Sequence, residues 1–581
     1  MLTAPGPGPA EAPGLDPDLA PLPSAFYQRT FLAERGAWSL VWLAVVTGGV
    51  NLWGFWWWSP AIIPLAPLMI ISGLVGVGSC WLVRNPRAPL FQRVTLGAVI
   101  VTVLFPQSIE ISTRSFYAND SAAFDQVAAN VLVHGADPYV ASMSGVAHLL
   151  NVPSRFWTYT VDGGHVTHFS YPAGSFLLSL PATAFGVHMA VDWTTLAAWL
   201  VTIVLVFTLV PASLRWLAAL LGLTPFFLGS FTSGGTDAMF LPLLVLAVWR
   251  WDRFGRSSEA GVARWIGPIA LGAACAVKQT PWFAVPLLVT GILLEARRSG
   301  RGPTRLCLRY LLTVLVVFAA VNIPFFIWHP GAWLHGTLIP LTGGLVADGQ
   351  GLVTLATHGL TGGVNLTMLS LAGTLAMVGV VAGFVAWYPQ LKRIWPLLLT
   401  IPFFFSPRSL SSYLVDLFPV ALVAAISVDG VPRDASEHRT AWRGVLTRSS
   451  VLVVIASCVG VIISSFLAFS GPPLQLSVRG IITSNAGTQL DAVTVSVVNR
   501  TPDRLVPHFF VNSATSQNYD GFWTVSKRGP VTLGPYDSET ITLYPPARTA
   551  APRRGARWLV EAYTPDPTWL STSTLLTFPP S

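Results

Sequence analysis

Long apolar runs separated by short polar loops fill the chain up to about residue 470. Each of the runs near 38–58, 61–83 and 93–112 contains the roughly 20 apolar residues that a helix needs to cross a bilayer. Ten later runs follow, near 193–211, 216–233, 237–251, 265–281, 282–296, 309–328, 366–388, 393–408, 411–428 and 449–470. This pattern predicts a polytopic α-helical membrane protein with about 13 transmembrane helices over residues 25–470.

Two segments depart from this pattern. Residues 1–24 are rich in Pro, Gly and Ala without apolar periodicity, which predicts a disordered tail rather than a cleavable signal. The apolar run 173–188 would, as a crossing, put the later arginines on the wrong sides of the membrane. We therefore predict a juxtamembrane or re-entrant helix there.

The arginines between the apolar runs predict the orientation. Arg84, Arg87 and Arg93 lie between the second and third runs, so the positive-inside rule puts that loop and the N-terminus in the cytoplasm. Counting the predicted crossings from the N-terminus then puts the loops 113–192 and 329–365 and the C-terminal region outside the cell. The sequence thus predicts a multi-pass protein of the plasma membrane.

The pattern changes to short β-rich runs from about residue 471. These runs are separated mostly by Gly, Pro, Asn or Asp, and they lie at Leu474–Ile482, Leu490–Val498, Leu505–Val511, Phe522–Val525, Glu539–Leu543, Arg557–Ala562 and Ser571–Thr577. They predict an extracytoplasmic β-sandwich of immunoglobulin type over 471–581. Its aromatic residues, Trp523, Trp558, Trp569 and Tyr519, are more typical of a core than of a sugar-binding surface.

One polar stretch within the apolar part carries acidic residues. Phe116–Tyr139 reads FYANDSAAFDQVAANVLVHGADPY, with helix-starting residue types at 119–121, apolar residues at helical spacing, and Gly135 as a stop signal. The pattern predicts a short amphipathic helix on the membrane surface with Asp120 at its start. The Asp120 carboxylate could cap this helix or could take part in chemistry.

Composition and charge exclude several classes of protein. With 52% hydrophobic and 10% charged residues, the chain is too apolar for an ordinary soluble domain. The net charge of +8 is modest and lies in short loops, so it indicates membrane orientation and not nucleic-acid binding. The four cysteines have neither metal-ligand spacing nor the pattern of a disulfide framework. We predict no metal and no other cofactor.

Four cations violate the orientation pattern by falling at the outer face, namely Arg114, Arg155, Lys278 and Arg408. A cation retained there or within an apolar stretch requires a negative partner. Lys278 and Arg408 each lie at the end of an apolar run with a proline close by, which frees backbone groups. Snorkelling to lipid headgroups is the alternative for each of them.

Several stretches together resemble a known family. YANDSAAFDQVAANVLVHGADPY followed by YPAGSFLLSLP resembles the first outer loop of GT-C glycosyltransferases, and it is most similar to actinobacterial polyprenol-phosphate-sugar enzymes, which include mannosyltransferases and arabinofuranosyltransferases. Three later stretches resemble that family in order and kind: GGTDAMFLPLLVLAVW from Gly234, AVKQTPWFAVPLLV from Ala276 and SPRSLSSYLVDLFPVAL from Ser406. The resemblance covers roughly residues 90–430.

This resemblance implies a reaction and a set of site residues. It implies transfer of a sugar from a polyprenyl-phosphate donor to a glycan or glycolipid acceptor of the cell envelope, with Asp120 as general base and Asp125 as the reserve candidate. The donor-phosphate candidates are Lys278, Arg408, Arg155 and Tyr413. The substrate-loop candidates are Tyr139, Tyr171, His329, His335 and His358. A transporter and a non-catalytic envelope-assembly protein remain the alternatives.

Overall fold

The computed structural model describes residues 24–56, 63–224, 235–256, 261–342, 344–429, 442–484, 489–513, 520–525, 531–546, 549–550 and 555–577. The chain divides into two compact units, Met1–Ala98 and Val99–Ser581. Residues 1–23 of the predicted tail lie outside the described residues.

The first unit is built from helices α1 (Ser24–Trp56) and α2 (Leu65–Leu82) and the beginning of α3 (Pro89–Thr113). Small residues allow α1 and α2 to approach closely, since a Cβ atom on Gly76 would fall 2.0 Å from the Trp42 ring. Arg87 donates a hydrogen bond from Nε to the Glu34 carboxylate at 2.9 Å. This ion pair fixes the arginine-bearing loop against α1.

The second unit continues from α3 with eighteen helices among its described residues. They are α4 (Asp120–Val133), α5 (Val146–Leu149), α6 (Gly174–Ala184), α7 (Ala190–Leu209), α8 (Arg215–Gly222), α9 (Asp237–Val248), α10 (Ile266–Val277), α11 (Ala284–Arg298), α12 (Pro303–Trp328), α13 (Pro330–Thr342), α14 (Thr354–Thr357), α15 (Leu366–Ala386), α16 (Tyr388–Leu391), α17 (Trp395–Leu398), α18 (Thr400–Phe404), α19 (Ser411–Val415), α20 (Phe418–Ser427) and α21 (Trp442–Ala468).

Seven helical segments in the described part of the chain are long and apolar enough to cross a membrane. They are Leu32–Gly54, Leu65–Leu82, Pro89–Thr113, Ala190–Leu209, Pro303–Trp328, Leu366–Ala386 and Arg448–Ala468. Other predicted runs form shorter helices, such as the 12-residue α9, and part of 216–233 lies outside the described residues. The 11-residue α6 is likewise shorter than a crossing.

A backbone break inside the predicted run 265–281 places polar side chains at a helix end. Helix α10 ends at Val277 because Lys278 takes an extended conformation with φ −151°, and Pro281 then starts a 3-10 turn at Thr280–Phe283. Gln279 fixes this break by donating hydrogen bonds to the Ser170 and Thr337 carbonyls at 3.0 and 2.8 Å. The side chain of Lys278 therefore lies at a helix end and not in mid-helix.

The C-terminal residues form two sheets, which confirms the predicted β-rich region. One sheet has the order β4-β5-β8-β7, with β9 also on β5. The other has the order β12-β10-β11-β2, with β6 also on β10, and its strand β2 (Gly363–Asn365) comes from the helical part. The strands are β4 (Leu474–Ser484), β5 (Gln489–Asn499), β6 (His508–Ser513), β7 (Thr524–Val525), β8 (Ser538–Tyr544), β9 (Thr549–Ala550), β10 (Arg557–Pro565), β11 (Thr568–Thr572) and β12 (Leu576–Thr577). The last predicted run, Ser571–Thr577, is not one strand: it contains the end of β11 and all of β12.

Aromatic side chains of this region belong mainly to its interior. Trp523 and Trp569 are buried, and Trp558 packs against the hydrophobic core that both sheets share. The core interpretation is therefore confirmed for these three tryptophans. Tyr519 lies outside the described residues.

Three short strands among the described residues of the helical part take part in sheets. Strand β1 (Asp348–Gly349) pairs in parallel with β3 (Arg408–Ser409), with Asp348 opposite Arg408. Strand β2 (Gly363–Asn365) pairs antiparallel with β11 and thus joins the C-terminal sheet to the residues before α15. Both pairings lie next to the cavity described below.

Candidate functional site

A cavity of about 840 Å³ opens among the helices and loops of the second unit. This volume lies within the range of small-molecule sites in proteins. Six of the sequence-predicted residues line it, namely Asp120, Arg155, Tyr171, Lys278, Arg408 and Tyr413. They come from separate parts of the sequence, so the fold brings them together.

Asp120 is the first residue of α4 and faces the cavity. Its Oδ2 atom accepts a hydrogen bond of 2.5 Å from the backbone N–H of Thr158. Burial raises the pKa of the Asp120 carboxyl, although the Thr158 hydrogen bonds and the charge of Arg408 act in the opposite direction. A carboxylate in this position can accept a proton from a hydroxyl group bound in the cavity.

The cap of α4 is Asn119 and not Asp120. The Asn119 side chain accepts a hydrogen bond from the Ser121 N–H at 2.9 Å, which satisfies a free donor of the first turn. The capping role considered for Asp120 is therefore wrong. The helix itself has the predicted bounds, and Gly135 follows it at φ 76°. Residues 121–125 are all buried, however, so its first half is enclosed and not a membrane-surface face.

Asp125, the reserve candidate, is fully buried and does not belong to the described lining of the cavity. Neither of its carboxylate oxygens has a hydrogen-bond partner among the described residues. Burial raises the pKa of Asp125 to about 7. The geometry thus favours Asp120 over Asp125 for contact with a substrate.

Lys278 is held by a carboxylate and two aromatic rings. Its Nζ lies 2.8 Å from an oxygen of Asp237 and donates to Thr236 Oγ1 at 3.2 Å. The same nitrogen lies 5.4 Å from the centre of the Tyr171 ring and 5.8 Å from that of Tyr413, which gives cation–π contacts. Because these groups surround it, Lys278 is fixed at the cavity wall.

Arg408 and Asp348 form a second pair at the wall. A guanidinium nitrogen of Arg408 lies 3.7 Å from Asp348 Oδ2, and the β1–β3 pairing aligns the two residues. At this separation the pair is looser than that of Lys278. Arg408 therefore keeps donor capacity toward a ligand in the cavity.

The predicted need for negative partners is confirmed for three of the four cations that the sequence pattern assigned to the outer face. Besides Lys278 and Arg408, Arg114 lies 3.3 Å from Asp192 and also pairs with Glu110. Arg155 forms no ion pair with any residue that the structure describes, and its guanidinium carbon lies 4.8 Å from the centre of the Phe156 ring. Arg155 thus brings a positive charge to the cavity without a carboxylate partner.

One wall of the cavity follows a single stripe of helix α15. The lining residues recur at helical spacing, at Leu366, Thr367, Ser370, Gly373, Thr374, Met377 and Val378. Helix α15 is one of the seven segments able to cross a membrane, and Val378 is an exposed apolar residue. The cavity therefore extends from charged groups at one end along the apolar body of this helix.

Four of the substrate-loop candidates are not part of this cavity in the described structure. Tyr139 is buried and donates its hydroxyl to the Tyr171 carbonyl at 2.8 Å. His329 Nδ1 lies 2.6 Å from Asp137 Oδ2, His335 packs against His168 with ring centres 6.1 Å apart, and His358 lies 3.4 Å from Thr357 Oγ1. The structure thus brings only Tyr171 of this group to the cavity.

Sequence reasoning missed the acidic residues that surround the cations. Asp237 and Asp348 pair with Lys278 and Arg408. Asp416 is buried with both carboxylate oxygens lacking a hydrogen-bond partner among described residues, and its charge interacts with Asp237 and Lys278. The signal that could have found them is an acidic residue inside an apolar run, which is costly unless it has a partner.

No protein-family model, curated protein or solved structure matches this chain.

Proposed function

We propose that this chain is a glycosyltransferase that moves a sugar from a polyprenyl-phosphate donor to a glycan or glycolipid of the cell envelope. Mannose and arabinofuranose are the favoured sugars. The observation that carries the proposal is that one cavity holds the Asp120 carboxylate together with Arg155, Lys278 and Arg408. A base and phosphate-binding cations are the groups that this reaction requires.

The reaction forms one bond and breaks another at the anomeric carbon of the donor sugar. Asp120 takes the proton of an acceptor hydroxyl group while the oxygen of that hydroxyl group forms a bond to the anomeric carbon. The bond from the carbon to the phosphate oxygen breaks, and its electron pair leaves with the polyprenyl phosphate. The cations stabilise the charge that develops on this phosphate, so the leaving group needs no proton.

The wall along α15 supports a lipid-linked donor. A polyprenyl chain is apolar and requires an apolar surface that reaches the hydrocarbon part of the bilayer. Along α15 the cavity is lined by the apolar residues Leu366, Met377 and Val378, and the hydroxyl groups of Ser370 and Thr374 donate hydrogen bonds to carbonyls of the same helix. The phosphate would then lie near Lys278 and Arg408 and the lipid chain along the helix.

In this proposal the helical part is a GT-C fold of about 13 crossings with a cytoplasmic N-terminus. The cavity opens to the outer side of the plasma membrane. The C-terminal sheets form an immunoglobulin-like sandwich on the same side. The shared core of the two sheets supports this last assignment.

The proposal is tested by incubating the purified protein with an extract of envelope glycolipids and a radiolabelled donor. Polyprenyl-phosphate mannose and polyprenyl-phosphate arabinofuranose are supplied separately. We expect transfer of label to glycolipid from one of them. Absence of transfer from both, with a folded protein, would contradict the proposal in its present form.

Replacing Arg155 should weaken donor binding without affecting the fold. We expect Arg155→Gln to raise KM for the lipid-phosphate donor about tenfold, because a charge-assisted hydrogen bond to phosphate contributes roughly 1.5–3 kcal/mol. The melting temperature should not change, since Arg155 is exposed and forms no ion pair with described residues. Initial rates at varied donor concentration check this, and an unchanged KM would remove Arg155 from the donor site.

A bulky side chain introduced on α15 where it lines the cavity should weaken the binding of long-chain donors selectively. Thr374 lines the cavity and is exposed, whereas Leu371 is an exposed residue of the same helix that does not line it. We expect Thr374→Trp to raise KM for a long polyprenyl donor much more than for a short citronellyl-phosphate donor. Leu371→Trp is the matched control and should change neither KM. Equal effects of Thr374→Trp on the two donors would contradict a lipid path along α15.

A further inference from the structure

The backbone that binds Asp120 belongs to a short extended segment, 157–161. Thr158 donates its N–H to Asp120 Oδ2. The next residue, Tyr159, accepts a hydrogen bond at its carbonyl from the Val346 N–H at 2.9 Å, and the Val161 N–H donates to the Gly344 carbonyl at 2.8 Å. The segment thus lies between the carboxylate and the loop that leads to Asp348.

Aromatic residues of the C-terminal region fix this segment from the other side. The Tyr159 ring packs edge-on against Phe510 and Phe522, with ring centres 5.3 and 5.6 Å apart. The two phenylalanine rings are 4.0 Å apart. Tyr159 and Phe510 are both buried in a hydrophobic cluster that includes Val346. The position of Tyr159, and with it the Thr158 N–H, therefore depends on contacts with the C-terminal sheet.

A second connection reaches the wall formed by α15. Strand β11 pairs with β2, with Trp569 opposite Asn365. The Asn365 side chain caps α15 by accepting a hydrogen bond from the Met368 N–H at 3.0 Å. Thr568, the first residue of β11, itself lines the cavity. The C-terminal region therefore contacts both the segment that binds Asp120 and the helix that forms the opposite wall.

We propose that the C-terminal β-region positions the general base, with Phe510 and Phe522 acting through Tyr159 on the Thr158 N–H that binds Asp120. These aromatic residues are positioning residues, because neither is among the residues that line the cavity and each packs against Tyr159. The catalytic part of this inference rests on the proposed glycosyl transfer. The physical link between the sheet and the 157–161 segment does not depend on it.

Strand β6 offers a matched pair of variants for the test. Phe509 and Phe510 are neighbours with equal burial, and their side chains enter different cores. Phe509 packs between the two C-terminal sheets, whereas Phe510 packs against Tyr159. Phe509→Leu and Phe510→Leu in the full-length chain should thus perturb the strand similarly while only the second loosens Tyr159. The partly buried Phe522 gives Phe522→Leu as a milder variant should Phe510→Leu fail to fold.

Hydrogen exchange of the full-length protein gives a readout that does not require activity. We expect peptides covering 157–161 to exchange faster in Phe510→Leu or Phe522→Leu than in the wild type, and at the wild-type rate in Phe509→Leu. For transfer, we expect kcat to fall about 10- to 100-fold in Phe510→Leu, because small displacements of a catalytic group are costly. Phe509→Leu should remain close to the wild type.

The pH profile separates positioning from simple loss of stability. The Thr158 N–H stabilises the charged form of Asp120, so its displacement should move the acid limb of kcat/KM to higher pH in Phe510→Leu and Phe522→Leu, but not in Phe509→Leu. Wild-type exchange at 157–161 and an unshifted profile in both Phe510→Leu and Phe522→Leu would overturn the inference. If exchange follows the expected pattern but the wild type transfers no sugar, the positioning link stands and the proposed function is what fails.

Discussion

Asp120→Asn should lower the rate of sugar transfer by about 10²- to 10⁴-fold, the usual contribution of a general base. The amide cannot take the proton of the acceptor hydroxyl. It retains an oxygen that can accept the Thr158 hydrogen bond, so the helix start and the cavity shape should persist. Donor binding should therefore change little. Initial rates and donor binding, measured on the same preparation, check both parts.

Asp125→Asn is the matched control for this prediction. Asp125 is on the same helix, but it is fully buried and its oxygens have no hydrogen-bond partner among described residues. A neutral amide in its place removes no contact to the cavity, and transfer should stay near the wild-type rate. If Asp125→Asn abolished transfer and Asp120→Asn preserved it, the assignment of the base would have to move to Asp125.

Removing the positive charge of Lys278 should have the largest effect on stability. Both members of its pair with Asp237 are buried at 2.8 Å separation. Lys278→Met leaves Asp237 charged and unpaired. Removing one partner of a buried ion pair lowers the free energy of unfolding by about 3–5 kcal/mol. We expect a large fall in the melting temperature and loss of donor binding, checked by thermal unfolding in detergent and by a binding assay.

A double variant separates the structural part of this effect from the functional part. Lys278→Met combined with Asp237→Asn removes both charges, so much of the lost stability should return. Donor binding should not return, because the cation for the phosphate is still absent. Recovery of binding in the double variant would show that Lys278 has only a structural role.

The local features of the site could be predicted from the sequence. The bounds of α4 followed from helix-starting residues at 119–121 and from the stop at Gly135, and these signals are local. The proline close to Lys278 indicated freed backbone groups there, but the predicted run extends to residue 281, whereas the helix ends at Val277. Both features depend on residues within one or two turns, where backbone preferences decide the conformation.

The ion pairs could not be predicted from the sequence. Asp237 lies at the start of α9 and Lys278 after the end of α10, and only the packing of these helices brings them together. Asp348 meets Arg408 through a two-residue parallel pairing, for which neither short segment has a periodic pattern. An apolar run predicts that a buried charge needs a partner, but it does not identify the partner.

The number of crossings could not be derived from hydropathy for a related reason. A run of 12 to 15 apolar residues is typical both of a buried helix and of part of a crossing. Helix α9 illustrates this, since most of its 12 residues are buried inside the unit. The histidines of 329–365 show a similar limit: a loop rich in His and Gly indicates polar contacts, but His329 makes its contact with Asp137 and not with the cavity.

A single-turnover experiment in proteoliposomes tests most directly whether the cavity transfers a sugar. The donor carries label in both the sugar and the lipid, and it is supplied in an amount equal to the protein together with the glycolipid acceptor. We expect one labelled glycolipid and one polyprenyl phosphate to form for each sugar consumed, with neither product from Asp120→Asn. Donor that remains intact in the presence of the folded wild-type protein, or that crosses the bilayer unreacted, would contradict glycosyl transfer and favour a transporter.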